Sequence, residues 1–366
     1  MFNSQEPQSQ IAPLFPIQAR IKVVGVGGAG CNAVNRMIAE RVQGVEFIAM
    51  NTDAQALSTS KAARRIQLGE SCTRGLGSGG DPEVGRRAAE ESLDQIRRAV
   101  KDADMVFIAA GMGGGTGTGG APLVAQAARE AGALTVAVVT KPFFFEGPRR
   151  KRIAEDGAAR VAEFADTIVV VPNDRLLEIS EKSTTVEEAF ALADDVLRQG
   201  VQGISDIILQ PGIINVDFAD VKSVMADAGS AMMGLGRAKG PGAARTAAEK
   251  AACSPLLERT IEGARRLLVN IESGPNLTLN EIHEAMEYLV QFTEPDEADV
   301  IVGHVLREEL GDEVVITILA ACIDKPAPKA TFDFPELDEP LPQPEEEAES
   351  VIDIPTFLSR KRQQDA

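Results

Sequence analysis

Residues 111–119 read Gly-Met-Gly-Gly-Gly-Thr-Gly-Thr-Gly and lie between an apolar run, Met105 to Ala110, and a helix-like stretch, Ala121 to Ala131. A turn this rich in glycine lets the backbone come close to a ligand, and its N–H groups, backed by the positive end of a helix, point at an anion. A plain strand-to-helix turn needs one or two glycines, whereas this one also places two hydroxyls, Thr116 and Thr118, among them. It reads as a phosphate-binding loop. Gly25, Gly27 and Gly30 form a second such turn, GxGxxG, and Asp53 follows at the end of the next strand region, where a dinucleotide fold holds its ribose acid. A third, Gly75-Leu-Gly-Ser-Gly-Gly-Asp81, precedes another helix. Three anion loops converging on one strand edge suit a nucleoside triphosphate better than a single pyrophosphate. A P-loop NTPase is excluded, because no Gly-Lys-Ser/Thr sequence occurs.

The other candidate chemistry is acidic. Asn215-x-Asp217-x-x-Asp220 opens a helix, and the spacing of three places Asp217 and Asp220 on one face at its amino end. A cap plus a first-turn acid accounts for this pattern in structural terms alone. His283 and His304 are the only histidines and fall in separate elements without HxxxH spacing, so a zinc site or a Ser-His-Asp triad is not expected, and both read as surface or packing residues. Phe143 to Phe145 read as burying loop structure, and Arg149 to Arg152 as a solvated basic helix face.

The elements that must position these residues follow from periodicity. Ile21 to Val26, Glu46 to Met50, Met105 to Ala110, Leu134 to Thr140 and Thr167 to Val171 are near-continuous apolar runs, as in strands of a parallel sheet buried on both faces. Each Gly-rich loop lies at a carboxyl strand end, where such sheets bind ligands. Asp81, Pro82 and Glu83 mark a helix start. Val186 to Leu209 reads as one long helix interrupted only by Gly200 and Gly203. Beyond it come helices from Asp217, at Ala243 to Ala252 and at Leu279 to Phe292, with strands at Leu267 to Ile271, Val300 to Leu306 and Val314 to Cys322. The fold class is α/β: a parallel-sheet nucleotide-binding domain, a long central helix and a second, smaller mixed α/β domain. The expected boundaries are a flexible segment at 1–20, the nucleotide domain at 21–185, the central helix at 186–209, the second domain at 210–324, a disordered acidic Pro/Glu-rich linker at 325–350 and a terminal peptide at 351–366. That peptide regains apolar residues and ends in Arg360, Lys361 and Arg362, which suits docking to a partner.

At 366 residues the chain can hold two cores, and its net charge of -18 opposes a nucleic-acid surface. Cys31, Cys72, Cys253 and Cys322 show no CxxC spacing, which suits a reducing cytoplasm. No apolar run reaches the roughly 20 residues of a membrane span, and the start has no signal-peptide pattern.

The string Gly113 to Gly119, with Gly25-Val-Gly-Gly-Ala-Gly-Cys-Asn32, Asn51-Thr-Asp-Ala-Gln-Ala-Leu57, Phe145-Glu-Gly147, Val171-Pro-Asn-Asp174 and Asn215-Val-Asp-Phe-Ala-Asp220, resembles the tubulin/FtsZ family of GTPases in its bacterial form. The likeness runs from about Ile21 to Asp324 and resumes at Asp353-Ile-Pro-Thr-Phe-Leu358, which resembles the family's terminal partner-binding peptide. The resemblance implies a GTP-dependent polymerising cytoskeletal GTPase of the bacterial division ring, cytoplasmic and placed at mid-cell, with GTP or GDP and Mg2+ as ligands. It implies that Gly27, Gly28 and Asn32 lie in the first nucleotide loop and that Gly113, Gly114, Gly115, Thr116, Gly117, Thr118 and Gly119 bind the phosphates. Glu146 and Arg150 approach the ribose, Asn173 sits near the sugar or base, Phe190 covers the guanine, and Asp194 accepts from guanine N1 and N2. Asn215, Asp217 and Asp220 enter the site of the next subunit, where the carboxylates position the attacking water, so residues 210–324 act as a GTPase-activating domain. No protein metal site is implied. Self-association runs head to tail, and membrane-tethering and regulatory division proteins bind through Asp353 to Arg362, with no nucleic acid and no direct membrane insertion. Ala29 and Cys31 depart from the usual glycines of the first loop, which leaves open whether Ala29 must take a positive φ. The rival readings are a dinucleotide-dependent oxidoreductase, resting on GxGxxG and Asp53, and a tubulin relative that binds nucleotide without turnover.

Overall fold

The computed structural model describes residues 19–321, apart from 182, 211, 258, 295 and 296. The segment before residue 19, the acidic linker, the terminal peptide and Cys322 lie outside the described residues.

Six parallel strands come first: β1 (Ile21–Val26), β2 (Val45–Asn51), β3 (Arg64–Gln67), β4 (Met105–Gly111), β5 (Leu134–Lys141) and β6 (Thr167–Pro172). Between them run helices α1 (Gly27–Ala39), α2 (Ala54–Ser58), α3 (Glu70–Thr73), α4 (Pro82–Glu91), α5 (Leu93–Val100), α6 (Thr116–Glu130) and α7 (Pro148–Ala162), and α8 (Leu176–Ile179) follows β6. The apolar runs are continuous because both faces are covered. Val23, Phe107 and Val138 pack with α1, while Val24, Ile108 and Val139 pack with α4 to α7.

The long helix α9 (Val186–Leu209) starts on a capping box, Thr185 accepting from the Glu188 N–H while the Glu188 carboxylate accepts from the Thr185 N–H. Its two glycines are packing devices. A Cβ on Gly200 would meet Val138 Cγ1 at 3.1 Å and Met233 Sδ at 3.2 Å, and one on Gly203 would meet Thr317 Cγ2 at 3.0 Å. The remaining elements are β7 (Gly212–Ile214), α10 (Phe218–Met225), β8 (Gly229–Lys239), α11 (Ala243–Ala252), β9 (Arg266–Ser273), α12 (Leu279–Val290), β10 (Asp299–Leu306) and β11 (Glu313–Ala321).

All strands join one 11-stranded sheet in the order β3-β2-β1-β4-β5-β6-β8-β11-β9-β10-β7. The seam between the two halves is narrow: β6 and β8 pair over Thr167 to Val169 only. Two cores are private to one half each, but a third is shared, since Val23 and Val138 from the first half meet Val201, Met233, Leu268 and Leu319 in it. The expected pair of separate cores is therefore bridged by α9 and α10.

Candidate functional site

Val26, Gly111, Thr140 and Asn173 stand at the carboxyl ends of β1, β4, β5 and β6, and all four line one cleft of about 430 Å³. Two helices open into it, α1 directly after β1 and α6 after Gly115. Neither has a side-chain cap or an acid in its first turn. By contrast α4, α9, α10 and α12 are all capped by an Asp or Thr side chain. Uncapped first-turn N–H groups and the positive end of each helix dipole are left facing the cleft, an arrangement made for an anion.

The glycines divide by purpose. Gly27, with φ +73, and Gly113, with φ +95, hold conformations that favour glycine. Gly28 and Gly114 have neither a positive φ nor any atom within 4 Å of an added Cβ, although both line the cleft. No protein atom requires glycine at either position, and both border open cleft space. Ala29 takes no positive φ, so its departure from glycine is harmless, and Cys31 is buried, with its thiol pushed up to about 12 by burial.

The two hydroxyls have partners within the protein. The helix starts at Thr116, inside the expected loop, and both side chains turn inward. Thr116 Oγ1 lies 2.6 Å from Thr52 Oγ1 and 3.0 Å from Ser78 Oγ, and Thr118 Oγ1 accepts from the Gly113 N–H at 2.9 Å. Thr116 still borders the cleft, with Gly114, Gly115 and Gly117, whereas Gly113, Thr118 and Gly119 shape the loop from behind. Ser78 and Gly80 of the third glycine loop also line the cleft. The loop itself is plain in the sequence, but nothing there singles out these two residues.

At the other end of the cleft, Gly28 and Asn32 are one turn apart on α1 and face Phe190, Ala193 and Asp194 on α9. Phe190 stands edge-on to Phe143 at 5.4 Å and to Phe145 at 6.4 Å. Of the expected buried triple only Phe143 is buried, while Phe144 and Phe145 are exposed. Glu146 Oε1 accepts from the Phe143 N–H at 2.9 Å and Oε2 from Arg150 at 2.5 Å, so these two cleft residues hold each other. Asn173 is buried and its Oδ1 has no hydrogen-bond partner among the described residues, leaving an acceptor for a ligand donor. Asp194 is pushed up to about 7 by burial, against the opposing pull of Arg36.

Asn215, Asp217 and Asp220 are elsewhere. Asp217 caps α10 by accepting from the Asp220 N–H at 2.8 Å, and Asn215 Oδ1 accepts from the Gly212 N–H at 2.7 Å. The Asp220 carboxylate has no hydrogen bond among the described residues, so capping explains only one of the two acids. Phe218 and Lys222 of α10 line a hollow with Arg20, Lys101 and Asp104, which precede β1 and β4, and Thr167 at the start of β6 donates to the Met225 carbonyl. The acids thus flank the amino ends of the strands whose carboxyl ends form the cleft. About 20 Å of sheet, six residues at roughly 3.3 Å each, separates the two poles.

Residues 20–181 match the GTPase domain of the tubulin/FtsZ family, and residues 229–324 match the FtsZ family C-terminal domain. A solved structure of an empty FtsZ dimer from M. jannaschii is 43% identical, with a TM-score of 0.80 over 84% of this chain and 89% of that one. The chain belongs to the tubulin/FtsZ GTPase family. A mutant of M. jannaschii FtsZ is likewise 43% identical, with a TM-score of 0.80 over 83% of this chain and 91% of that one. CetZ2 from Haloferax volcanii, solved as a GTPγS-bound protofilament, shares the fold at 20% identity and a TM-score of 0.71, over 82% of this chain and 92% of that one. This FtsZ-family chain is accordingly a GTP-binding, filament-forming GTPase of the cell-division type, with the parallel-sheet GTPase domain and C-terminal domain of that fold. Among the described residues no helix is long and apolar enough to cross a membrane.

Proposed function

We propose that the chain polymerises head to tail in the cytoplasm as the ring-forming GTPase of bacterial division, at mid-cell, and that each GTP is hydrolysed at the junction of two subunits. The observation that carries this reading is polar separation: a cleft built for a polyanion at one end of the sheet and an acidic segment at the other. A contact between unlike ends does not close on itself, so it extends into a filament. Exposed Leu76, Phe144 and Leu177 are the apolar surface near the cleft, and exposed Ile213 and Ile214 immediately precede the acids. In the junction Asp217, Asp220 and Asn215 of one subunit orient the attacking water in the cleft of the next. Phosphoryl transfer gains most from such positioning.

Gly28 and Gly114 to Gly117 cradle the phosphates through backbone N–H groups, with Gly27, Gly113, Thr116, Thr118 and Gly119 holding the loops in shape. Glu146, Arg150 and Asn173 meet the ribose, Asn32 and Phe190 flank the base, and Asp194 accepts from its N1–H and N2–H. No cluster of three or more His, Cys, Asp or Glu able to hold a metal exists among the described residues. A Mg2+ ion bound with the nucleotide would be held beside its phosphates and would neutralise their charge. The terminal peptide, Asp353 to Arg362, is where membrane-tethering and regulatory proteins attach. The test of the whole reading is light scattering of the purified protein with GTP, GDP, ATP and NAD, with phosphate release followed in parallel. Assembly with GTP alone, with phosphate release that sets in above a threshold protein concentration, is the expected result. Release strictly proportional to protein concentration would defeat the junction mechanism, and NAD binding without GTP binding would favour the oxidoreductase.

Two further outcomes follow from the cleft. Gly28→Ala has room and an ordinary φ, so it should leave folding unchanged or stabilise it by about 0.4–1 kcal/mol in urea titration. GDP affinity should nevertheless fall at least about tenfold by calorimetry, because the methyl group occupies ligand space. The second outcome concerns pH. Asp194 is mostly protonated below about 7 in the free protein, yet only its carboxylate accepts from both guanine donors. GDP affinity should therefore be steady at alkaline pH and fall below pH 7 towards about tenfold per unit. A flat titration between pH 5.5 and 8.5 would rule out this role for Asp194.

A further inference from the structure

Helix α1 packs along α9, and Arg36 of α1 meets α9 at Asp195, the residue next to Asp194, while Glu40 at the end of α1 shares a hollow with Arg198 further along α9. Arg36 follows Asn32 by one turn on α1, so both share the face turned to α9. Its Nε donates to Asp195 Oδ1 at 2.9 Å. That carboxylate is already well supplied from its own helix: Arg198 Nε donates to Oδ1 at 2.7 Å, Arg198 Nη2 to Oδ2 at 3.3 Å, and Gln199 Nε2 to Oδ2 at 2.6 Å. Two arginines thus share one acid. The adjoining Asp194 lines the cleft with Asn32, one turn before Arg36 on α1.

We propose that Arg36, held in place by Asp195, is a positioning residue for base recognition, keeping a fixed positive charge beside the carboxylate of Asp194 so that it meets a guanine ready to accept two hydrogen bonds. The proposal rests on the guanine-reading role of Asp194 given above. Other charges around Asp194 do not supply this field. Glu146 and Arg150, on the opposite wall of the cleft, neutralise each other, and Arg198 is already committed to Asp195 and to Gln202. Burial pushes Asp194 up and Arg36 pulls it down. Burial also pushes Asp195 up, but its two arginines outweigh that and hold it below the ordinary carboxylate range.

The experiment is calorimetric titration of the full-length protein with GDP, which keeps filament assembly out of the measurement, from pH 5.5 to 8.5. In Arg36→Met the midpoint of the pH dependence should rise by about one unit, so that affinity falls up to about tenfold at pH 7 and matches the native protein near pH 8.5. Arg36→Lys should restore the native midpoint. Asp195→Asn removes the competing acid and should move the midpoint the opposite way, downward, which keeps the proposal testable if Arg36→Met does not fold. A role in packing alone predicts losses in both variants that are independent of pH, and that result would overturn the proposal. The ratio of GDP to inosine diphosphate affinity separates the two levels of inference, because inosine lacks the 2-amino donor. If Asp194→Asn leaves that ratio unchanged, the base-reading role fails. If the ratio collapses towards one while Arg36→Met keeps the native midpoint, the role of Arg36 alone fails.

Discussion

Asp220→Ala should bind GTP normally and form longer-lived filaments while phosphate release falls by about 100-fold or more, in the range for loss of a group that activates or orients a nucleophile. Asp220 is the sharper probe of the pair, because Asp217 also caps α10 and its loss costs about 0.5–2 kcal/mol of stability. The complementary variant is Gly114→Val, which fills ligand space without meeting any protein atom within 4 Å of its Cβ and so should abolish nucleotide binding while keeping its acids. Filaments mixed from the two should recover part of the lost turnover, since a Gly114→Val subunit offers intact acids to GTP held by an Asp220→Ala neighbour. Sedimentation must show that both variants enter the polymer. Co-sedimenting filaments whose phosphate release equals the sum of the separate variants would place the acids outside catalysis in the junction.

Arg307→Met should be strongly destabilising while leaving the cleft untouched. Its guanidinium bridges Asp206 on α9 and Glu272 on β9, and the Asp206 side chain is only 3% exposed. Burial pushes Asp206 up to about 6, with Arg307 pulling it down and Glu272 adding to the rise. Removing the arginine strands a buried carboxylate, which costs roughly 3–5 kcal/mol. The sign with pH is fixed by the raised value: the penalty applies to the ionised acid, so it should be full at pH 8 and shrink at pH 5.5 as Asp206 takes up a proton. Urea unfolding of both proteins at the two pH values measures the difference. An equal or larger loss at pH 5.5 would show that Arg307 acts through packing of its stem.

The sequence made the parallel sheet readable because strands buried on both faces need unbroken apolar runs, and β1 and α11 appear with the bounds expected. The strand β8 escaped notice for a physical reason. Gly234 and Gly236 break its pattern, yet a Cβ there would stand 2.1 Å from the Ala251 carbonyl oxygen and 1.8 Å from that of Ala247, so the glycines exist to seat the Ala-rich α11. The short strands β3 and β7 have too few residues for any period to show. In the site, glycine density marks the loop that lines the cleft, whereas the partners of the Thr116 and Thr118 hydroxyls, on Thr52 and Ser78 and on the Gly113 N–H, lie too far away in the chain or too deep in the loop for spacing to show them. Phe190 and Asp194 are singled out by the resemblance alone, since one turn of a long helix carries no sign of what it faces. Arg36 gives no signal at all, because its contact with Asp195 joins two helices 159 residues apart in the chain.

The outermost strands of the sheet have four residues at β3 and three at β7. A subunit that repeats itself along one axis must not also repeat itself sideways through open backbone, where identical edges could pair without limit. Brief edges, with Arg64 and Arg65 on one of them, offer little to such pairing. In the proposed filament, growth would thus be confined to one dimension by what the borders of the sheet withhold, leaving the poles to decide when a subunit joins.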